Sequence, residues 1–281
     1  MTKYGNARNR GLAAELKNLR KDAGLTLRQV ERKVGISIAS LSRMESGLRP
    51  ITAVTASALL ATYEVIGPVR ARILVLAKEV NLSGWHETDG EGLPLHLGAL
   101  TGFEAEATLI VHAAMLRIPG LLQTADYIRT TLTALGFPAQ KRAEVVAARL
   151  ERQKVLLGPN PPRYLTFIDE AVLRRPTGSR ALMAAQCQHM ADMAELPHVE
   201  IRVIPFECGT HAGLDGSYTW MEFAKNPPIV YLELTQSSMF RDAEHEIRPY
   251  RETTDKLMAA ALCSAESVKF LRRFVSTFGK E

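Results

Sequence analysis

Residues 25–50 read LTLRQVERKVGISIASLSRMESGLRP, a stretch whose apolar positions allow little besides two short helices joined by a tight turn. Val30, Val34, Ile36, Leu41 and Met44 fall where they can meet in one small core, and Arg28, Arg32, Lys33, Arg43 and Arg49 are left outside. Thr26 can cap a helix running to about Val34, Gly35 supplies the turn, and Ser37 can cap a second short helix ending at Gly47. Two short helices fixed in this way are a helix-turn-helix.

The flanking segments extend the same pattern. In RGLAAELKNLRKDAG, Leu12, Leu16 and Leu19 share one helical face opposite Glu15, Lys17, Lys21 and Asp22, and Gly24 is a natural terminator. Downstream, a helix beginning at Thr52 would use Val54, Leu59 and Leu60, and another across Val69–Val80 would use Ile73 and Leu76. Five short helices make an all-α domain over residues 1–80.

Charge separates this segment from the remainder of the chain. Residues 1–80 hold 14 Lys plus Arg against 6 Asp plus Glu, a balance of +8, and residues 81–281 hold 21 against 24, a balance of −3. A small basic module on a near-neutral body points to a polyanion as the partner of the module. Residues 81–100, NLSGWHETDGEGLPLHLGAL, mix Gly, Pro and acidic residues without a sustained period and read as a linker.

Residues 101–281 alternate between two periods. Strand-like runs lie at 108–116, 163–172, 199–206, 217–224 and 229–235, with helices expected at 124–136, 140–157, 178–195, 242–262 and 264–277. The last three strands are close in sequence, which favours antiparallel pairing through short loops. The expected architecture is multidomain, with the all-α head followed by an α+β domain whose sheet is mainly antiparallel.

Sites for chemistry are sparse. Cys187 and His189 lie two apart on an expected helix and so face different ways, which argues against a zinc site shared with Cys208 and His211. No nucleophile elbow, phosphate-binding glycine loop or dinucleotide fingerprint is present. Asp169 and Glu170 are neighbours on an expected strand, so they should point to opposite faces and share no proton. The chain is therefore expected not to be an enzyme and to need no metal or other cofactor. A sensing pocket for a small-molecule effector or a peptide tail could be lined by Glu170, Arg174, His211 and Arg241, near the Gly-rich stretch ECGTHAGLDGSY. The plainer alternative makes Glu170 and Arg174 a structural ion pair and His211 a loop residue. Three scattered cysteines give no disulfide framework, and no apolar run has the length of a signal or membrane-spanning segment. A cytoplasmic protein with no membrane partner is expected.

TLRQVERKVGISIASLSRMESGLRP, with Thr26, Val30, Gly35, Leu41, Arg43, Glu45, Gly47 and Pro50 in order, resembles the core of the Xre/Cro-repressor helix-turn-helix family. The resemblance implies a five-helix Cro/repressor-type domain that lays its third helix in the major groove of a double-stranded DNA operator. Ser37, Ile38, Ala39 and Arg43 would then meet base edges, with Arg43 bidentate to guanine and Ile38 and Ala39 against thymine methyls. Arg28, Ser42 and Arg49 would meet phosphates. In the plainer alternative Ile38 is a packing residue, Arg43 pairs with a carboxylate such as Glu31, and Glu45 ties the third helix to its bundle.

FEAEATLIVHAAMLRIPGLLQTADYIR, IDEAVLRRP, VEIRVIPFECGTHAGLDGSYTWMEF and PIVYLEL resemble the uncharacterised C-terminal domain that follows many such helices in antitoxin-like regulators. That likeness implies a small protein partner. The two resemblances together imply a sequence-specific transcriptional regulator, a homodimer on an inverted repeat, whose C-terminal domain receives a signal or binds that partner. The alternative is an antitoxin-like protein that chiefly sequesters the partner, with DNA binding serving autoregulation.

Overall fold

The computed structural model describes residues 6–78, 85–88, 97–233 and 237–278. They form two compact units, Met1–Glu106 with Phe223–Ile247, and Ala107–Glu222 with Arg248–Glu281.

The first unit opens with five helices: α1 (Ala7–Asp22), α2 (Leu27–Val34), α3 (Ile38–Glu45), α4 (Ala53–Thr62) and α5 (Gly67–Lys78). The expected caps form. Thr26 and Gln29 make a reciprocal capping box, Ser37 accepts from the Ser40 amide, and Thr52 accepts from the Thr55 amide. Gly35 takes φ +70°, a left-handed conformation open to glycine at little cost, and so turns the chain between α2 and α3. Leu12, Leu16, Val30, Leu41, Met44, Leu60 and Ile73 are buried together with Ile51.

Two expectations for these helices fail. Val54 is 81% exposed, because α4 turns Ala56, Leu59 and Leu60 inward and a residue two before Ala56 projects from the opposite side. Glu15 is buried rather than solvated and pairs with Arg72 of α5. Helix α1 also has a neighbour beyond the bundle. Helix α6 (Leu97–Glu106) packs against α1 so closely that a Cβ added at Gly102 would lie 2.5 Å from the Ala14 Cβ. The two glycines of LGALTGFEAE mask a helix in the sequence, yet one of them is what admits this contact. Of the expected linker, 81–84 and 89–96 lie outside the described residues, Trp85–Thr88 form β1, and Leu97–Leu100 open α6. Strands β6 (Ile229–Glu233) and β7 (Ser237–Arg241) complete the unit in the antiparallel order β1-β7-β6.

The second unit holds β2 (Ala107–Ala114), β3 (Arg163–Asp169), β4 (Val199–Ile204) and β5 (Tyr218–Phe223) in the order β5-β2-β3-β4. Its helices are α7 (Ala125–Ala134), α8 (Ala139–Gln153), α9 (Glu170–Arg174), α10 (Arg180–Met193), most of α11 (Glu244–Ala260), and α12 (Ser264–Phe278). The strand at 199–204 does not pair with its antiparallel neighbours in sequence. It runs parallel beside β3, which itself runs parallel to β2, because the α7–α8 and α9–α10 segments are long enough to return the chain to the same end. The chain is thus a helical head followed by an α+β domain with a mostly antiparallel sheet, β2-β3-β4 being its parallel part. Among the described residues no helix is long and apolar enough to cross a membrane.

Two measurements probe this packing. Gly102→Ala is expected to cost about 1–3 kcal/mol, read as a lower urea midpoint, with Ala14→Gly in the same chain recovering part of the loss. His112 of β2 is held neutral, its pKa pushed down from 6.5 to about 3 by burial and then by the Arg152 charge. The unfolded chain takes up this proton below pH 6.5 and the folded chain does not, so stability should fall as pH drops from 6.5 towards 3. His112→Gln should flatten that part of the pH profile, and an unchanged profile would exclude this origin.

Candidate nucleic-acid interface

Helix α3 is held from three sides. At its start the Ile38 amide donates to Glu31 Oε1 of α2 at 3.0 Å, adding a side-chain acceptor to one of the helix's unpaired N-terminal amides. At its end Glu45 takes both Nε and Nη2 of Arg20 from α1, at 2.6 and 2.9 Å, and Arg20 Nη1 also reaches the Leu25 carbonyl at 2.5 Å. The hydrogen bond to Glu45 is the main reason the Arg20 pKa is raised, with burial opposing it. After the helix, Arg49 Nη1 donates to the buried Ser40 hydroxyl at 2.7 Å. Glu45 therefore has the bundle-tying role expected of it.

The outward edge that these ties leave carries Ser37, Ile38, Ala39, Ser42 and Arg43, all exposed. Arg43 Nε lies over its own helix, 3.3 Å from the Ala39 carbonyl, and no carboxylate pairs with it among the described residues. The Arg43–Glu31 pair does not form, since Glu31 is committed to the Ile38 amide. Arg28 stands exposed on α2. Arg49 is exposed too, but its tether to Ser40 fixes it beside α3. Ser37 spends its hydroxyl on the Ser40 amide and hydroxyl, so it shapes the start of the helix as well as bordering its outer edge.

One gripping residue escaped the sequence reading. Asn9 Nδ2 donates to the Gly47 carbonyl at 2.9 Å and Asn9 Oδ1 accepts from the Ile51 amide at 3.2 Å, clasping the loop that leaves α3. Helix α1 starts at Ala7, five residues before the leucine pattern begins at Leu12, and a buried Asn carries no periodic signal.

The residues expected at a pocket of the body, Glu170, Arg174, His211 and Arg241, each have partners of their own. Strand β3 ends at Asp169, which caps α9 by accepting from the Ala171 amide, so Asp169 and Glu170 do not alternate across a sheet. Both carboxylates turn to the 206–211 segment. Asp169 Oδ2 accepts from His211 Nε2 at 2.9 Å, and Glu170 Oε2 accepts from the Phe206 amide at 2.8 Å. His211 Nδ1 accepts from the Gly213 amide at 3.2 Å, which uses both ring nitrogens in fastening the loop. Glu170 also pairs with Arg174 at 2.5 Å. Arg241 belongs to the other unit and pairs with Glu246. No metal-holding group of His, Cys, Asp and Glu occurs among the described residues, and burial pushes the Cys187 thiol up to about 12. Within the second unit an open groove of about 500 Å³ lies between α7 and α8, with an apolar floor of Val146 and Leu150 between Arg129 and Arg142.

Residues 12–73 match a helix-turn-helix domain, and residues 97–273 match a domain of unknown function, DUF5753. The chain belongs to the DUF5753 family. No curated protein and no solved structure matches it. The DUF5753 stretch begins where α6 begins, and it includes β6 and β7, so elements of the DUF5753 domain share one compact unit with the helix-turn-helix. Asn9 lies ahead of both matched stretches.

The Arg20–Glu45 pair has side-chain exposures of only 12% and 11%. Arg20→Met should therefore cost about 3 kcal/mol by leaving Glu45 buried without its cation. The Arg20→Met/Glu45→Met double variant should lose less than the two single variants summed, as read by urea denaturation.

Proposed function

We propose that this DUF5753 protein is a sequence-specific DNA-binding transcriptional regulator that acts as a homodimer on an inverted repeat. The observation that carries the reading is α3 itself. It is fixed at both ends by Glu31 and Arg20, and it presents Ile38, Ala39 and Arg43 to the outside with no carboxylate on Arg43 among the described residues. Only the major groove admits a helix and displays a distinct pattern for each base pair, which suits an Arg able to pair with guanine and small apolar groups able to meet thymine methyls. Arg28, Ser42 and Arg49 flank that edge as phosphate contacts. One such module buries limited surface, so a second copy doubles the readout and fixes the spacing of half-sites at about one helical turn. In this reading the DUF5753 domain receives a small-molecule signal or a small protein partner and passes the result to the head.

Footprinting of the full-length chain on its own upstream DNA should protect two symmetric half-sites, with affinity falling steeply as salt rises. Arg43→Ala should weaken the operator by about 5-fold to 150-fold, equivalent to about 1–3 kcal/mol, while affinity for unrelated DNA changes little. Sequence-blind binding by the wild type would refute the reading, as would equal losses on both DNAs.

A further inference from the structure

The first turns of α1 bury three consecutive polar residues, Arg8, Asn9 and Arg10, which are 6%, 3% and 4% exposed. Such burial is costly unless the groups are held, and Arg10 is held by the DUF5753 domain. Its guanidinium lies against two rings, with Cζ 4.1 Å from the Phe223 centroid and 5.2 Å from that of Phe103 in α6. Arg10 Nη1 donates to the Pro227 carbonyl at 2.8 Å, and the carboxylates of Glu106 and Asp242 supply countercharge. Asp242 also accepts from the Ala7 amide, tying down the start of the same helix. Burial lowers the Arg10 pKa to about 10, so the side chain remains a cation at neutral pH.

The other end of the same side chain touches the loop that follows α3. Gly47 sits directly on the Arg10 stem, where an added Cβ would be 2.8 Å from Arg10 Cγ. Next to it, Asn9 holds the Gly47 carbonyl and the Ile51 amide. The loop between them carries Arg49, which in turn is bonded to Ser40 of α3. All these residues belong to one compact unit.

Building on the DNA-binding reading above, we propose that Asn9 and Arg10 are positioning residues, through which α6 and the Phe223–Pro227 turn of the DUF5753 domain set the loop that follows the reading helix. Neither side chain is exposed enough to touch DNA, so their effect on the operator is transmitted through residues 47–51. A shift of the turn that moves Arg10 moves Gly47, and with it Arg49 and the exit of α3. The DUF5753 domain thereby reaches the operator without contacting it.

The test uses the full-length chain and four variants: Asn9→Ala, Arg10→Met, Arg10→Lys and Phe223→Leu. Amide hydrogen exchange is measured without DNA, and affinity is measured on the footprinted operator. Arg10→Met and Phe223→Leu should speed exchange at Arg49 and Ile51 while Val30 and Leu41 in α2 and α3 keep wild-type protection. Operator Kd should rise about tenfold for Asn9→Ala and Arg10→Met, with the slope against log salt falling by no more than about one, the share of the displaced Arg49. Arg10→Lys should recover most of the loss by keeping a cation between the rings.

Two results overturn the proposal: uniform acceleration of exchange throughout the helix-turn-helix, which marks general destabilisation, or wild-type loop exchange in both Arg10→Met and Phe223→Leu. If the wild-type chain proves blind to sequence, the regulator reading falls. The exchange pattern still decides whether Arg10 and Phe223 govern the loop.

Discussion

Every residue of α1 from Ala7 to Leu16 is buried, and this enclosure governs the rest of the first unit. An amphipathic helix has one face to spare for a core and another for water. Here both faces are taken, one by the α2–α5 bundle and the other by α6 and β7. The requirement explains otherwise odd choices in the sequence. The small residue Ala14 lets the helices approach, and Gly102 answers it from α6. Glu15 finds Arg72, and Arg10 finds an aromatic seat, because water is not there to solvate either.

The helix-turn-helix was legible because its signals are local. Thr26, Gly35, Ser37 and Thr52 act on backbone groups two to four residues away, and such caps need no knowledge of the remaining chain. The helices of the body were legible for a similar reason, since α7, α8, α10, α11 and α12 each carry a sustained period of their own. What escaped depends on distant partners. The pairing of β3 with β4 is parallel, β7 lies beside β1, and α6 hides behind two glycines. Nothing in the composition of those segments encodes the neighbour that completes them.

The candidate site divides in the same way. The outward edge of α3 could be read from helical phase alone, and Glu45 from its place at the end of the helix. Asn9 and Arg10 could not, since polar residues at a helix start ordinarily read as a solvated end. Asp169 and Glu170 depart from strand alternation because the strand stops between them. One residue of helical backbone turns two carboxylates that would face apart into a pair fastening the same loop.

The order in which the first unit is assembled differs from the order in which it is written. The five helices of the head are complete by Lys78, but the residues that seat Arg10 and cap α1 come from Phe223, Pro227 and Asp242. During synthesis the head emerges first and α6 soon after it, and the seat of Arg10 on Phe223 and Pro227 is completed only when more than 140 further residues have been added. Contacts of such long sequence separation form late and slowly. A freshly made head thus passes through a period in which α3 exists and the seat of Arg10 does not, so the last contacts of α1 arrive only after most of the chain has been made.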